Sequence, residues 1–314
     1  MMPKVIPILE QKKEKGTIKS FITPIIKSPL RFPGGKSKAI KYIIPLIPDF
    51  DEYREPMVGG GSLFFALKQR FPERKYWIND IDPNVYWFWI TCRDSPFELV
   101  LAINSLKEHY KNGRKLYDLL IDSANKPTNN IDIAARFFIL NRITFSGLTE
   151  SGGYSEQAFR ERFTQSSITR IITASTLLQG VKITNKDFSE LTSKNGDAVF
   201  VFLDPPYYSN SKSRLYGKRG QLHIKFNHEV FFDQLRSCKH SWLVTYDNCS
   251  KIERLFNKNR SENWLRLAWK LKYGINNPNR QIAKVGEELF ILNYTIPTVG
   301  HDIKLSGFNK KLKP

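Results

Sequence analysis

"REPMVGGGSLFFALKQRFPERKYWINDID", residues 54–82, runs strand, glycine turn, helix, strand, acid. Tyr53 to Val58 reads as a short strand, Gly59-Gly60-Gly61 as a turn, Ser62 to Gln69 as an amphipathic helix, and Lys75 to Asn79 as the next strand. Such a unit builds a parallel sheet. Glycines let the backbone approach a ligand, and the helix behind them offers unpaired N–H groups. The triplet is not a full GxGxxG fingerprint. What strengthens it is Asp80, about 20 residues past the first glycine, where an acid grips ribose hydroxyls of a nucleoside cofactor. A dinucleotide and S-adenosylmethionine both fit that pattern.

Outward from this unit the alternation continues. Val181 to Thr184, Ala198 to Leu203, Ser241 to Thr245 and Glu288 to Tyr294 read as strands, and His228 to Ser237 as a helix. The expected class is α/β with a parallel core. From about Pro96 to Leu178 the rhythm changes: "FELVLAINSLKEHY" (97–110) and "IDIAARFFILNRITF" (131–145) repeat apolar residues at three and four. This is expected to be an inserted, mainly helical subdomain that serves recognition. The predicted organisation is a basic arm over 1–27, a catalytic domain over 28–92 and 181–304, the insertion over 93–180, and a basic tail over 305–314. Arm and tail are expected to be partly disordered.

The chain has 314 residues, with 49 Lys and Arg against 30 Asp and Glu, a net charge of +19. That excess predicts a polyanionic partner. Cys92, Cys238 and Cys249 show no paired spacing and no CxxC occurs, which argues for a reducing compartment, against a disulfide scaffold and against a metal site. No apolar run approaches the roughly 18 residues of a membrane span, and the N-terminus lacks a long apolar leader. The reading is a cytoplasmic protein without a membrane partner.

The stretch with the sharpest chemistry is "AVFVFLDPPYY" (198–208). A buried strand ending at Leu203 sets Asp204 at the sheet's carboxyl edge, where α/β folds bind ligands. Pro205 precedes another proline, Pro206, so the backbone is held extended and the Pro205 carbonyl is presented. Two acceptors side by side suit a planar NH₂ group, and Tyr207 offers a ring face for a heterocycle; a stacked base is worth about 1–3 kcal/mol. The stretch is built to hold the exocyclic amine of a base. By contrast "RFPGGKS" (31–37) fails as a P-loop, because position 30 is Leu where a glycine is needed. It remains a basic turn carrying Phe32 and Lys36.

The order "FPGGK", "EPMVGGGS", "NDID", an insertion, "NKDF", "DPPY" resembles the Dam-like, D12-class, class-α adenine-specific DNA N6-methyltransferases, over about Pro29 to Tyr294. The resemblance implies a Rossmann-like S-adenosylmethionine-dependent methyltransferase sheet with an inserted target-recognition subdomain. It implies cofactor contacts from Phe32, Lys36, Glu55, Gly59, Gly61, Asp80, Asp187, Phe188 and Asp204, with Glu55 facing the methionine ammonium. It implies catalysis by Asp204, Pro205, Pro206 and Tyr207. The chain departs from the pattern at Phe32, where relatives often carry Trp. It departs again at "NRITFSGLTESGGYSEQAF" (141–159), where Dam-type relatives carry an Asn-Val-Pro turn.

The implied reaction is methyl transfer to N6 of an adenine flipped out of duplex DNA, a step costing a few kcal/mol. Lys212, Arg214, Lys218 and Arg219, in the basic run after DPPY, are expected to grip phosphates. Arg142, Thr149, Tyr154 and Arg160 are the candidates for base reading. A cognate restriction endonuclease is the further partner such an enzyme can have. The alternatives are an RNA adenine methyltransferase and a nucleic-acid-binding homologue without catalysis.

Overall fold

Val199-Phe200-Val201-Phe202-Leu203 has no polar face, so it is stable only with both sides covered. In the computed structural model, which describes residues 26–32, 34–149, 152–208, 226–257, 264–272, 285–296 and 308–309, it lies inside one eight-stranded sheet. The strands are β1 (Glu52–Glu55), β2 (Lys75–Asn79), β3 (Lys182–Thr184), β4 (Val199–Leu203), β5 (Ser241–Asp247), β6 (Leu265–Lys272), β7 (Val285–Leu292) and β8 (Phe308–Asn309). Their order is β3-β2-β1-β4-β5-β7-β6-β8. The first five in that order run parallel, and β7, β6 and β8 join antiparallel.

The helices are α1 (Ile40–Ile43), α2 (Ser62–Arg70), α3 (Pro83–Asp94), α4 (Pro96–His109), α5 (Gly113–Ile121), α6 (Asn130–Ile143), α7 (Glu156–Arg162), α8 (Gln165–Leu178), α9 (Phe188–Ser193), α10 (His228–Ser237) and α11 (Ser250–Asn257). Side chains along β4 alternate between two cores. Phe200 and Phe202 join the core that takes in α2, α3, α4, α6 and α8. Val199, Val201 and Leu203 join Phe231, Phe232 and Leu235 of α10 and Ile252 of α11. Several helices start on caps the sequence supplies: Asp82 accepts from Asn84 N at 2.9 Å, Asn112 from Lys115 N at 3.0 Å, and Asn129 from Asp132 N at 2.9 Å.

The expected α/β class holds. Two details differ. The first strand ends at Glu55, not Val58, because Pro56 has no N–H to continue a ladder. The antiparallel strands β6 and β8 are not among the strands expected from sequence, and Phe308–Asn309 of the expected basic tail pairs with β6. Helices α4 to α8 occupy the span between β2 and β3, as the change of rhythm predicted. They rest on α3, where Phe88 and Phe138 stack at 5.9 Å and 9° and Cys92 Sγ donates to the Ile171 carbonyl at 3.6 Å. The arm up to residue 25 and nearly all of the tail lie outside the described residues. Among the described residues no helix is long and apolar enough to cross a membrane.

Candidate active site

β1 and β4 are neighbours, but β2 lies beyond one and β5 beyond the other. The crevice at their carboxyl ends is where such a sheet takes a ligand. The register pairs Arg54 with Val201 and Leu203 with Val244. Glu55, Asp204 and Thr245 therefore arrive at one edge.

Asp204 is held from two sides. Thr245 Oγ1 donates to its Oδ1 at 2.6 Å. Lys36 Nζ donates to Oδ1 at 2.6 Å and to Oδ2 at 2.7 Å, and reaches the Gly34 carbonyl at 3.0 Å. Lys36 is only 6% exposed, so this charge-assisted pair is well shielded from water. The same ammonium lies 5.0 Å from the centre of the Tyr207 ring. Behind it Pro205 is buried and Pro206 half-buried, and Tyr208 N donates to Asp247 Oδ1 at 3.1 Å. The "FPGGK" turn and DPPY, 168 residues apart, meet in one ion pair.

The glycine turn lies alongside. Gly59 and Gly61 have φ of +44° and +63°, a region that favours glycine. A side chain at Gly59 would fall 2.7 Å from the Phe32 ring, and one at Gly60 2.9 Å from Phe32 Cβ. Phe32 thus packs directly on the turn. Gly59 N donates to Asp80 Oδ2 at 2.9 Å, Asp82 N to Asp80 Oδ1 at 3.0 Å, and Trp89 Nε1 to the Gly59 carbonyl at 3.0 Å. Asp187 caps α9, accepting from Ser189 N at 3.0 Å. The Phe188 ring packs against Phe231 at 5.2 Å and Phe226 at 6.2 Å.

Three carboxylates share this edge. Burial, then the nearby Asp204 and Asp80 charges, push Glu55 up to about 8, against hydrogen bonds from Tyr53 and the Phe64 backbone. Tyr53 OH sits 2.8 Å from Glu55 Oε2. Burial, then Asp82, push Asp80 up to about 7. Carboxyl groups crowded like this call for a cation. Among the described residues no cluster has the make-up of a metal site. A cofactor carrying an ammonium and a sulfonium fits the charge.

Of the expected residues, Lys36 and Asp204 meet in one ion pair, Phe32 packs on the glycine turn and Gly59 binds Asp80, whereas Asp187 and Phe188 make their contacts within α9 and with Phe226 and Phe231. The expected base readers differ in surroundings: Arg142 is enclosed, whereas Arg160 is 75% exposed and engages Glu156 through Nε. Arg142 is 4% exposed. Tyr154 OH donates to Glu156, and Arg160 Nε donates to the same carboxylate at 2.6 Å. Thr149 is half-buried. Lys212, Arg214, Lys218 and Arg219 lie outside the described residues. Sequence reasoning missed Thr245, Tyr53 and Trp89. The first could have been found from the pairing of β4 with β5, which no local pattern reveals.

The model of the D12 class N6 adenine-specific DNA methyltransferases matches residues 32–273. The chain belongs to that family, whose methyl donor is S-adenosylmethionine. It is 27% identical over 210 residues to Type II methyltransferase M.MjaIII of Methanocaldococcus jannaschii, covering 60% of this chain and 71% of that one. It is 26% identical over 222 residues to Type II methyltransferase M1.LlaDCHI of Lactococcus lactis subsp. cremoris, covering 66% and 72%. Among solved structures, an S-adenosylmethionine-dependent O-methyltransferase from Thermotoga maritima is 11% identical at a TM-score of 0.38, covering 82% of this chain and 64% of that one.

Proposed function

We propose that the crevice between β1 and β4 methylates the N6 amine of an adenine turned out of duplex DNA, with Asp204 and the Pro205 carbonyl as the acceptors that hold the amine. The observation that carries this reading is Asp204 itself: an acid at a strand's carboxyl end, fixed by Thr245 and facing Lys36 beside the Tyr207 ring. Glu55, Asp80, Phe32, Gly59, Gly61, Asp187 and Phe188 are the residues that would hold the cofactor. When bound, S-adenosylmethionine supplies a methyl group on a cationic sulfur that an amine lone pair can displace.

Asp204 accepts a hydrogen bond from one N6 hydrogen and the Pro205 carbonyl from the other. The nitrogen lone pair is then drawn out of the purine ring and aimed away from both acceptors. Such positioning supplies much of the rate in a reaction with an already activated donor. N6 sheds one of these protons once it carries the methyl group. Lys36 must surrender at least one Asp204 oxygen before the amine can bind. Tyr207 gives the purine a face to lie on, which offsets part of the unstacking cost of a few kcal/mol. The span 93–180 is the region that chooses the target. A cognate endonuclease belongs to the same reading through the Type II relatives.

The test is transfer of a labelled methyl group to duplex oligonucleotides, with the modified position mapped. Asp204→Asn keeps the side chain's shape but offers one acceptor oxygen. It is expected to lower the single-turnover rate at least about a hundredfold, two hydrogen-bond-sized increments, while duplex affinity stays within about threefold. Wild-type label found only in RNA, or Asp204→Asn retaining full activity, would refute the assignment.

A further inference from the structure

Arg142 is a buried cation that the chemistry above does not use. It stands in the last turn of α6, 4% exposed, its guanidinium 5.3 Å from the Phe138 ring centre. Its Nε and Nη2 are buried without a hydrogen-bond partner, and so is Nη1 of Arg31. The charges facing it are guanidiniums: Arg170 of α8, Arg31, and Arg162 of α7. Burial first, then these neighbours, push Arg142 down to about 9. Among the described residues no carboxylate pairs with it; Glu161 approaches Arg162 at 3.9 Å. An enclosed charge without a partner and with like charge nearby is costly in the free protein, and planar guanidinium forks match the oxygens of a phosphate.

The next residue back ties this cluster to the crevice. Asn141 is fully buried. Its Oδ1 accepts from Arg31 N at 2.9 Å, and its Nδ2 donates to the Arg31 carbonyl at 2.5 Å and to the Gly147 carbonyl at 3.2 Å. One carboxamide therefore grips both backbone groups of Arg31 and the turn after α6. Arg31 directly precedes Phe32, which packs on Gly59 and Gly60.

We propose that Arg31, Arg142, Arg162 and Arg170 seat one phosphodiester group of the DNA backbone, and that filling this seat tightens cofactor binding through the Asn141–Arg31 clamp. The inference rests on the DNA-methylating reading. Arg142 is enclosed while Arg162 is 53% exposed, so the cluster has a solvent-facing side, and guanidiniums select for charge rather than for the neutral edge of a base. An anion that fixes the Arg31 side chain, while Asn141 fixes its backbone, holds Phe32 on the glycine turn. Asn141 is then a positioning residue, acting on the cofactor only through Arg31.

Thermal unfolding and calorimetric binding of S-adenosylhomocysteine to the full chain test both halves. Arg142→Met removes the unbalanced charge at similar length, so its unfolding midpoint in low-salt, phosphate-free buffer is expected to rise above wild type. Its duplex affinity is expected to fall, with a salt slope smaller by about one unit. In wild type, saturating duplex is expected to lower the Kd for S-adenosylhomocysteine about tenfold, an ordinary size for coupling between sites. Arg142→Met and Asn141→Ala should both lose that tightening, Asn141→Ala with the wild-type salt slope.

If Asn141→Ala does not fold, Gly147→Ala tests the same junction, because its added carbon would fall 2.7 Å from the Arg31 carbonyl. A lowered midpoint in Arg142→Met means the guanidinium is already satisfied within the fold and overturns the seat. Tightening that survives in Asn141→Ala overturns the link. Millimolar inorganic phosphate that reproduces the whole effect of duplex assigns the seat to a free anion and overturns the DNA assignment. Wild-type protein that methylates no duplex refutes the functional reading instead, whereas methylation without any tightening refutes this inference alone.

Discussion

Thr245 is the residue whose contribution is easiest to isolate. It makes one hydrogen bond to a carboxylate, and a bond of that kind is worth about 1.5–3 kcal/mol. Thr245→Val keeps the shape and removes the donor. Single-turnover methylation is expected to slow about tenfold to a hundredfold, with the cofactor Kd unchanged by calorimetry. Glu55 carries a second prediction. Its ordinary value is 4.5 and the fold lifts it to about 8. Between those values the folded chain holds a proton that the unfolded chain has lost, so stability falls as pH rises through the window, by about 1.4 kcal/mol per pH unit, and levels off above it. Asp80, lifted from 3.8 to about 7, adds to the fall in the lower part of the window. Denaturant midpoints from acid to mildly alkaline pH should show this slope, and Glu55→Gln should remove the part that reaches to about 8. Calorimetry at neutral pH in buffers of different ionisation heat should detect protons released when the cationic cofactor binds.

At the scale of elements, the junction of α3 with α6 and α8 decides how the helices between β2 and β3 stand on the sheet. Phe88→Ala removes one of two stacked rings from a fully buried contact. A loss of about 3–5 kcal/mol is expected from chemical denaturation. The elements were largely legible. β4 showed itself by five apolar residues, α2 by the glycines before it, and the insertion by a change of period. The apolar pattern runs on to Val58, but Pro56 stops β1 at Glu55. β6, "LRLAWKLK", alternates well enough, but its three basic residues in eight blur the strand signal. The meeting of Lys36 with Asp204 was not legible at all: each motif announces a ligand, and only the sheet order brings them within hydrogen-bond reach. Asn141 was hidden for the same reason, since its partner Arg31 lies 110 residues away.

For the whole molecule, the decisive quantity is the net charge of +19. A protein making about 6–10 phosphate contacts loses about 10³–10⁵ in affinity between about 50 and 200 mM salt. Fluorescence anisotropy with duplex should find a steep fall of that order, whereas binding of the cofactor alone should respond far less. A nearly flat salt response of the duplex would mean that the charge serves something other than a nucleic-acid backbone.

The Lys36–Asp204 pair also bears on what the enzyme spares. A cell's adenosine and adenine nucleotides carry the same exocyclic nitrogen as a target adenine, in a vastly larger pool. To be alkylated, each would have to evict an ammonium already lodged on the acid. A lone nucleoside brings no long charged chain whose attachment elsewhere could meet that cost, whereas a polymer does. On the proposed reading, methyl transfer to free adenosine is therefore expected to be far slower than to duplex, and Lys36→Met is expected to narrow that gap, as measured by labelled-methyl transfer to each.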